Sequence, residues 1–375
     1  MTSSQSKTPA APGLFEPGRI AGLQPANRVV VAPMCQYSAK DGVVQPWHAQ
    51  HLGALAISGA GLLTIEATAV ESAGRITHGC VGLWNDAQEQ ALGRLVEQLR
   101  TFSQVPVGIQ LAHAGRKGSA MRPWESGRAL TAEEGAWQTF SSSELPFGAG
   151  WHTPAALDEA GMARVERAFA AAARGVARIG LDFLEIHCAH GYLLHQFLSP
   201  VCNQRGDGFG GSRENRMRFP LAVVRAAREA WPAGKTLGAR INGTDWIDGG
   251  WSLDDAVAFG RLLLDAGVDY LSVSSGGTRA GVTPPLSPGY QVHLAEGVRK
   301  ALGCPVIAAG LIAEPAHADS IVRGGQADFV GLARCLLDDP RWPIHAAARL
   351  GAGPELPPQY RLAAAGKWPL AKTCA

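Results

Sequence analysis

Short runs of β-branched and aliphatic residues recur along the chain, and a stretch of helical periodicity follows nearly every one. The runs occupy residues 28–32, 61–66, 105–111, 181–186, 236–241, 268–273, 305–309 and 327–332. They are continuously apolar rather than alternating, the pattern of parallel strands covered on both faces. Between them, amphipathic spacing predicts helices over 86–102, 158–179, 215–230, 253–265, 290–302 and 315–323. Ser252 and Ser212 stand where helix N-caps belong, and Trp47, His48 and His51 fall in a helix after the first run. Eight strands alternating with helices predict an α/β fold, a (β/α)8 TIM barrel of about 250 residues with its site at the C-terminal strand ends.

The chain has 375 residues, so the barrel leaves a surplus. Most of it is an insertion over 115–153, after the third strand, rich in Gly, Trp, Ser and Pro and read as a cap over the barrel mouth. The expected organisation is a disordered leader (1–13), the barrel (14–350) and a C-terminal tail (351–375). A doubly wound dinucleotide fold is the rival architecture. Its fingerprint, GDGFGG at 206–211, follows a polar loop rather than a strand and lacks the required context.

Hydrophobic content of 46% and charged content of 18% describe a globular chain with ample core. Lys and Arg number 34 against 32 acidic residues, a net charge of +2 that offers no pull towards nucleic acid or an anionic membrane. No segment has the apolar length of a bilayer span. The seven cysteines form no CxxC pair and no secreted disulfide framework, and residues 1–13 have no apolar signal core, so a cytoplasmic location is expected.

Candidate chemistry gathers at the strand ends. After the fourth run come His187 and His190, three residues apart, then Tyr192. Two imidazoles can hold one ligand oxygen and a phenol can deliver a proton, but an HxxH pair also serves as metal ligands or as ordinary capping or core histidines. Pro33, Met34, Cys35 and Tyr37 follow the first run, and Glu66 and Ala67 end the second. Gln110 lies in the third, with His113, Arg116 and Lys117 beyond it; His113 suits a structural or a catalytic role equally. Arg240 ends the fifth and, if buried, needs an anionic partner. Glycines follow the sixth and seventh runs, Gly310 among them, and Arg334 follows the eighth; together they suit a phosphate.

Four segments, APMCQYS (32–38), GIQLAHAGRK (108–117), EIHCAHGYLLHQFLSP (185–200) and NQRGDGFGGSRENRMRF (203–219), resemble the Old Yellow Enzyme family of FMN-dependent ene-reductases. The resemblance spans roughly 14–361, and Cys35 with a His/His pair resembles the bacterial thermophilic-like NADPH dehydrogenase branch. It implies that Ala32, Pro33, Met34, Cys35, Ala67, Gln110 and Arg240 contact the flavin and that Gly310, Ala333 and Arg334 hold its phosphate. It implies that His187 and His190 bind the oxygen of an α,β-unsaturated carbonyl or nitro substrate, with Tyr37 and Lys117 beside it and Tyr192 as proton donor. NADPH would reduce the flavin, and flavin N5 would pass the hydride to the activated alkene in a ping-pong cycle. Ala32 stands where Ser is frequent and Ala333 where Gly is. A homodimer or homotetramer is implied, with Arg361 or Trp368 reaching a neighbouring site. The alternative from another class is a metal-dependent TIM-barrel hydrolase built on His187 and His190.

Overall fold

The computed structural model describes residues 13–353, 356–364 and 367–368. Apart from Gly13, the expected leader lies outside the described residues. All eight runs form strands: β1 (Val29–Val31), β2 (Leu62–Ala69), β3 (Val107–Ala112), β4 (Phe183–Cys188), β5 (Thr236–Asn242), β6 (Tyr270–Ser274), β7 (Val306–Ala308) and β8 (Phe329–Leu332). Each pairs in parallel with its sequence neighbours, and β1 pairs with β8 to close the barrel.

Ten α-helices connect or extend these strands among the described residues: α1 (Pro46–Ala56), α2 (Asp86–Arg100), α3 (Glu159–Ile179), α4 (Leu193–Leu198), α5 (Arg213–Ala230), α6 (Leu253–Asp265), α7 (Val292–Leu302), α8 (Pro315–Arg323), α9 (Arg334–Asp338) and α10 (Trp342–Arg349). Ser212 and Ser252 cap α5 and α6, each side chain accepting from the backbone N–H three residues on. Short α4 has no amphipathic signature because all six of its residues are buried.

Side-chain alternation divides the core in two. Leu184, Ile186 and Cys188 of β4 face the helices, as do Leu237, Ala239 and Ile241 of β5. Phe183, with Val30, Leu62, Tyr270, Ile307 and Phe329, fills the barrel floor. Gly108 and Gly238 make that filling possible, since a Cβ on either would overlap the Phe183 or Tyr270 ring. Burying each large apolar side chain contributes roughly 1.5–3 kcal/mol, so the floor is rigid and the mouth is left for polar groups.

The inserted segment is ordered against the mouth. Phe140–Ser141 pairs with Ala155–Ala156, and Arg116 at its start donates to the carbonyls of Leu145 and Thr278.

Candidate active site

Alternation along β4 sets the polarity of the interior. Phe183, Glu185 and His187 occupy every second position, so the inner face runs from an aromatic floor through a carboxyl to an imidazole. Glu185 is buried, accepts from Gln110 Nε2 at 2.7 Å and from the Tyr270 hydroxyl at 3.1 Å. Burial pushes its pKa up, and the nearby Arg240 guanidinium opposes that. Arg240 lies on β5 beside His187, and its Nε is buried without a hydrogen-bond partner. Glu185, one of two acidic residues in the run 181–186, is not among the candidates read from the sequence.

β4 runs to Cys188, two residues beyond the predicted end, so His187 projects from the strand itself and His190 from the loop after it. His190 takes a left-handed conformation (φ 59°), held by its N–H donating to Asn242 Oδ1 at 3.1 Å. The two rings meet edge to face at 5.0 Å, with His187 Nε2 and His190 Nδ1 3.2 Å apart. Burial holds both imidazoles well below their ordinary pKa, and the charges of Arg240 and Lys117 add to this, so both are neutral. The Tyr192 ring stands edge-on to His187 at 5.0 Å. Lys117 Nζ sits 4.8 Å from the Tyr192 centroid and donates to the carbonyls of His190 and Gly277, both at 2.9 Å. Burial and Arg116 lower the Lys117 pKa to about 8.

Gly191 must be glycine: its φ is 67° and an added Cβ would lie 2.3 Å from the Gly277 carbonyl oxygen. Beneath this loop the buried Asp245 carboxylate accepts from Ser199 Oγ at 2.6 Å, from the Trp251 N–H at 3.0 Å and from Thr278 Oγ1. It therefore ties together the segments after β4, β5 and β6. The two side chains that bond Asp245, Ser199 and Thr278, are 46 and 33 residues away, and only the Trp251 N–H is near in sequence.

Across the mouth, β2 carries a bulge at Glu66, so Ala67 pairs with Gln110 while Glu66 is the extra residue. Glu66 does not end β2, which continues to Ala69. Its buried carboxyl accepts from the Gln36 N–H at 3.1 Å and lies 3.5 Å from His48 Nε2; burial raises its pKa to about 8. Cys35 lies beside it, its thiol pushed well up by burial and by Glu66. Ala32, Pro33 and Met34 lead to Cys35 from the end of β1, and Tyr37 follows with φ 49°, its ring 6.0 Å from that of Trp124. Ala333 and Arg334 lie where β8 passes into α9, and Gly310 follows β7. His113 Nε2 lies 3.0 Å from Glu71 Oε1, and its Nδ1 accepts from the Gly115 N–H at 3.0 Å. Among the described residues, no group of three His, Cys, Asp or Glu side chains converges in a way that could hold a metal ion.

Residues 13–352 match the model of the NADH:flavin oxidoreductase / NADH oxidase family. The chain belongs to that family. It is 39% identical to an NADPH dehydrogenase of Geobacillus thermodenitrificans, covering 92% of this chain and 97% of that one. It is 38% identical to the NADPH dehydrogenase of Listeria innocua, over 92% and 98%. Among solved structures, morphinone reductase superposes with a TM-score of 0.75 at 28% identity, covering 93% of each chain. The Old Yellow Enzyme resemblance is thereby established, and the protein is an FMN-dependent NAD(P)H oxidoreductase.

The mouth of this family member fits an FMN. The partnerless Arg240 Nε needs an acceptor, and the flavin ring offers carbonyl oxygens and a ring nitrogen. Gly310, at φ 116°, packs so closely on the Gln291 side chain that a Cβ would lie 2.6 Å from its amide nitrogen, and Arg334 brings an exposed positive charge to the same rim.

Proposed function

We propose that this flavin oxidoreductase is an NADPH-dependent ene-reductase acting on activated C=C bonds of α,β-unsaturated carbonyl or nitro compounds. The observation that carries the reading is the convergence of His187 Nε2 and His190 Nδ1 to within 3.2 Å, beside the Tyr192 ring. In this reading Ala32, Pro33, Met34, Cys35, Ala67, Gln110 and Arg240 hold the flavin ring, and Gly310, Ala333 and Arg334 its phosphate. When bound, FMN supplies the hydride chemistry that no side chain can, accepting from NADPH and donating to the alkene β-carbon.

The protein supplies the polar half of the reaction. Neutral imidazoles donate hydrogen bonds without offering a counter-charge, so His187 and His190 stabilise negative charge as it grows on the substrate oxygen. Tyr192 gives a proton to the α-carbon. Burial raises its hydroxyl above the ordinary phenol pKa, which keeps the proton in place until a carbanion-like centre takes it. Tyr37 and Lys117 border the substrate space, and Cys35, backed by Glu66, tunes the flavin edge. The insertion caps the mouth, since Trp124 packs on Tyr37. A homodimer or homotetramer belongs to the same reading, with Arg361, exposed on the described tail, or Trp368 reaching a neighbouring copy. Six unpaired cysteines among the described residues support a reducing, cytoplasmic setting; no described helix is long and apolar enough to cross a membrane.

The test is stopped-flow mixing of the yellow holoenzyme with NADPH, then with enones, maleimides and nitroalkenes. Fast bleaching and alkene-dependent reoxidation are expected. Protein that NADPH bleaches but no activated alkene reoxidises would refute the ene-reductase reading.

A further inference from the structure

The two histidines belong to a series of hydrogen bonds whose direction is set by its first donor. The Ala189 backbone N–H can only donate, so His187 Nδ1, at 3.2 Å, accepts. A neutral His187 then carries its proton on Nε2, facing His190 Nδ1. With Nδ1 accepting, neutral His190 carries its proton on Nε2 and donates to Ser274 Oγ at 2.7 Å. The Ser274 hydroxyl donates onward to Gln291 Oε1 at 3.2 Å. That same oxygen accepts from the Ser275 hydroxyl at 2.7 Å. Ser274, Ser275 and Gln291 are all buried, so water does not substitute for these bonds.

In this arrangement the pair presents one proton, not two, at the place where a ligand oxygen would sit. Two donors require the proton of His190 on Nδ1, and Nε2, which faces buried Ser274, then needs a donor of its own. Ser274 is placed to provide it by turning its hydrogen from Gln291 to His190. Gln291 Oε1 loses nothing essential, because Ser275 still donates to it.

We propose that Ser274 is a positioning residue that lets His190 exchange tautomers, so that the pair is bonded to itself when empty and donates twice to a substrate oxygen when filled. Protons balance: half-buried His190 exchanges with solvent before a ligand seats, losing one proton from Nε2 and gaining one at Nδ1. It stays neutral throughout, while Ser274 keeps its hydrogen and reorients it. The proposal rests on the oxygen-clamp reading and adds to it a residue on β6, bonded to His190 and Gln291.

The test uses oxidised holoenzyme with 15N-labelled histidine and 2-cyclohexenone as probe, without NADPH; the enone oxygen can only accept. Two-bond 15N–1H couplings should show His190 protonated on Nε2 in the free enzyme and on Nδ1 in the complex. Ser274→Ala should keep His190 on Nε2 and weaken enone binding about 2- to 13-fold, the loss of one neutral hydrogen bond. Gln291→Met, which removes the competing acceptor, should show the Nδ1 tautomer before any enone is added. Unchanged enone affinity in Ser274→Ala, or one His190 tautomer in both states, overturns the switch alone. If the enone moves neither histidine in the unaltered enzyme, the clamp itself falls and the switch with it.

Discussion

Replacing Tyr192 by Phe removes one oxygen and leaves the ring's packing in place. The edge-on contact with His187 at 5.0 Å and the Lys117 ammonium 4.8 Å from the ring centroid do not involve the hydroxyl. Tyr192 precedes α4 but makes no side-chain capping bond, so that helix does not depend on the oxygen either. The change is therefore confined to chemistry. A positioned general acid contributes roughly 10²- to 10⁴-fold, which corresponds to about 2.7–5.4 kcal/mol of barrier. Rapid-mixing measurements separate the two halves of the cycle: reoxidation by 2-cyclohexenone should slow by that factor, and reduction by NADPH should change by less than about threefold. Because burial raises the hydroxyl pKa, the reoxidation rate of the unaltered enzyme should show no titration of this group between about pH 6 and 9. A loss under about tenfold in reoxidation, or equal losses in both halves, would remove Tyr192 from the role of acid.

Replacing His187 and His190 together by Ala should abolish the flavin absorbance change on titration with a phenol, while either single change weakens it about tenfold; an unaltered titration in the double variant rejects the clamp. Glu66 gives a stability signature. Its pKa rises from 4.5 to about 8 in the folded protein, so between those values the unfolded chain has released a proton the folded chain retains. Stability should fall by about 1.36 kcal/mol per pH unit across that window, to a ceiling of about 5 kcal/mol, and level off above pH 8. Glu66→Gln should lose this slope in denaturant midpoints taken at pH 5, 6.5 and 8; parallel pH curves for the two proteins would show that Glu66 ionises freely.

The barrel was legible because its strands must be apolar on both faces, and that leaves continuous runs such as 236–241, which became β5 with one residue added. Strand ends were less legible. Polar His187 looks like a stop in the sequence, yet it continues β4, because the interior of the barrel turns polar at its mouth and pairing with Arg240 persists. The bulge at Glu66 has no local signature either, since it exists only relative to the register of β3. The candidate site residues stood out in the sequence as unusual types clustered at strand ends. Ser274 stands in the sequence among the polar residues that follow the sixth run, but its bond to Gln291, 17 positions on, does not show there.

By itself, the sequence determined the architecture and the inventory: which segments are strands, and which histidines, tyrosine and arginines follow their C-terminal ends. Periodicity and composition are local properties, and the hydrophobic effect reads them locally. Tertiary structure alone decided what those groups are chemically. Protonation states and the loop conformation at His190 depend on burial and on partners from β5 and β6, which meet only when the barrel closes.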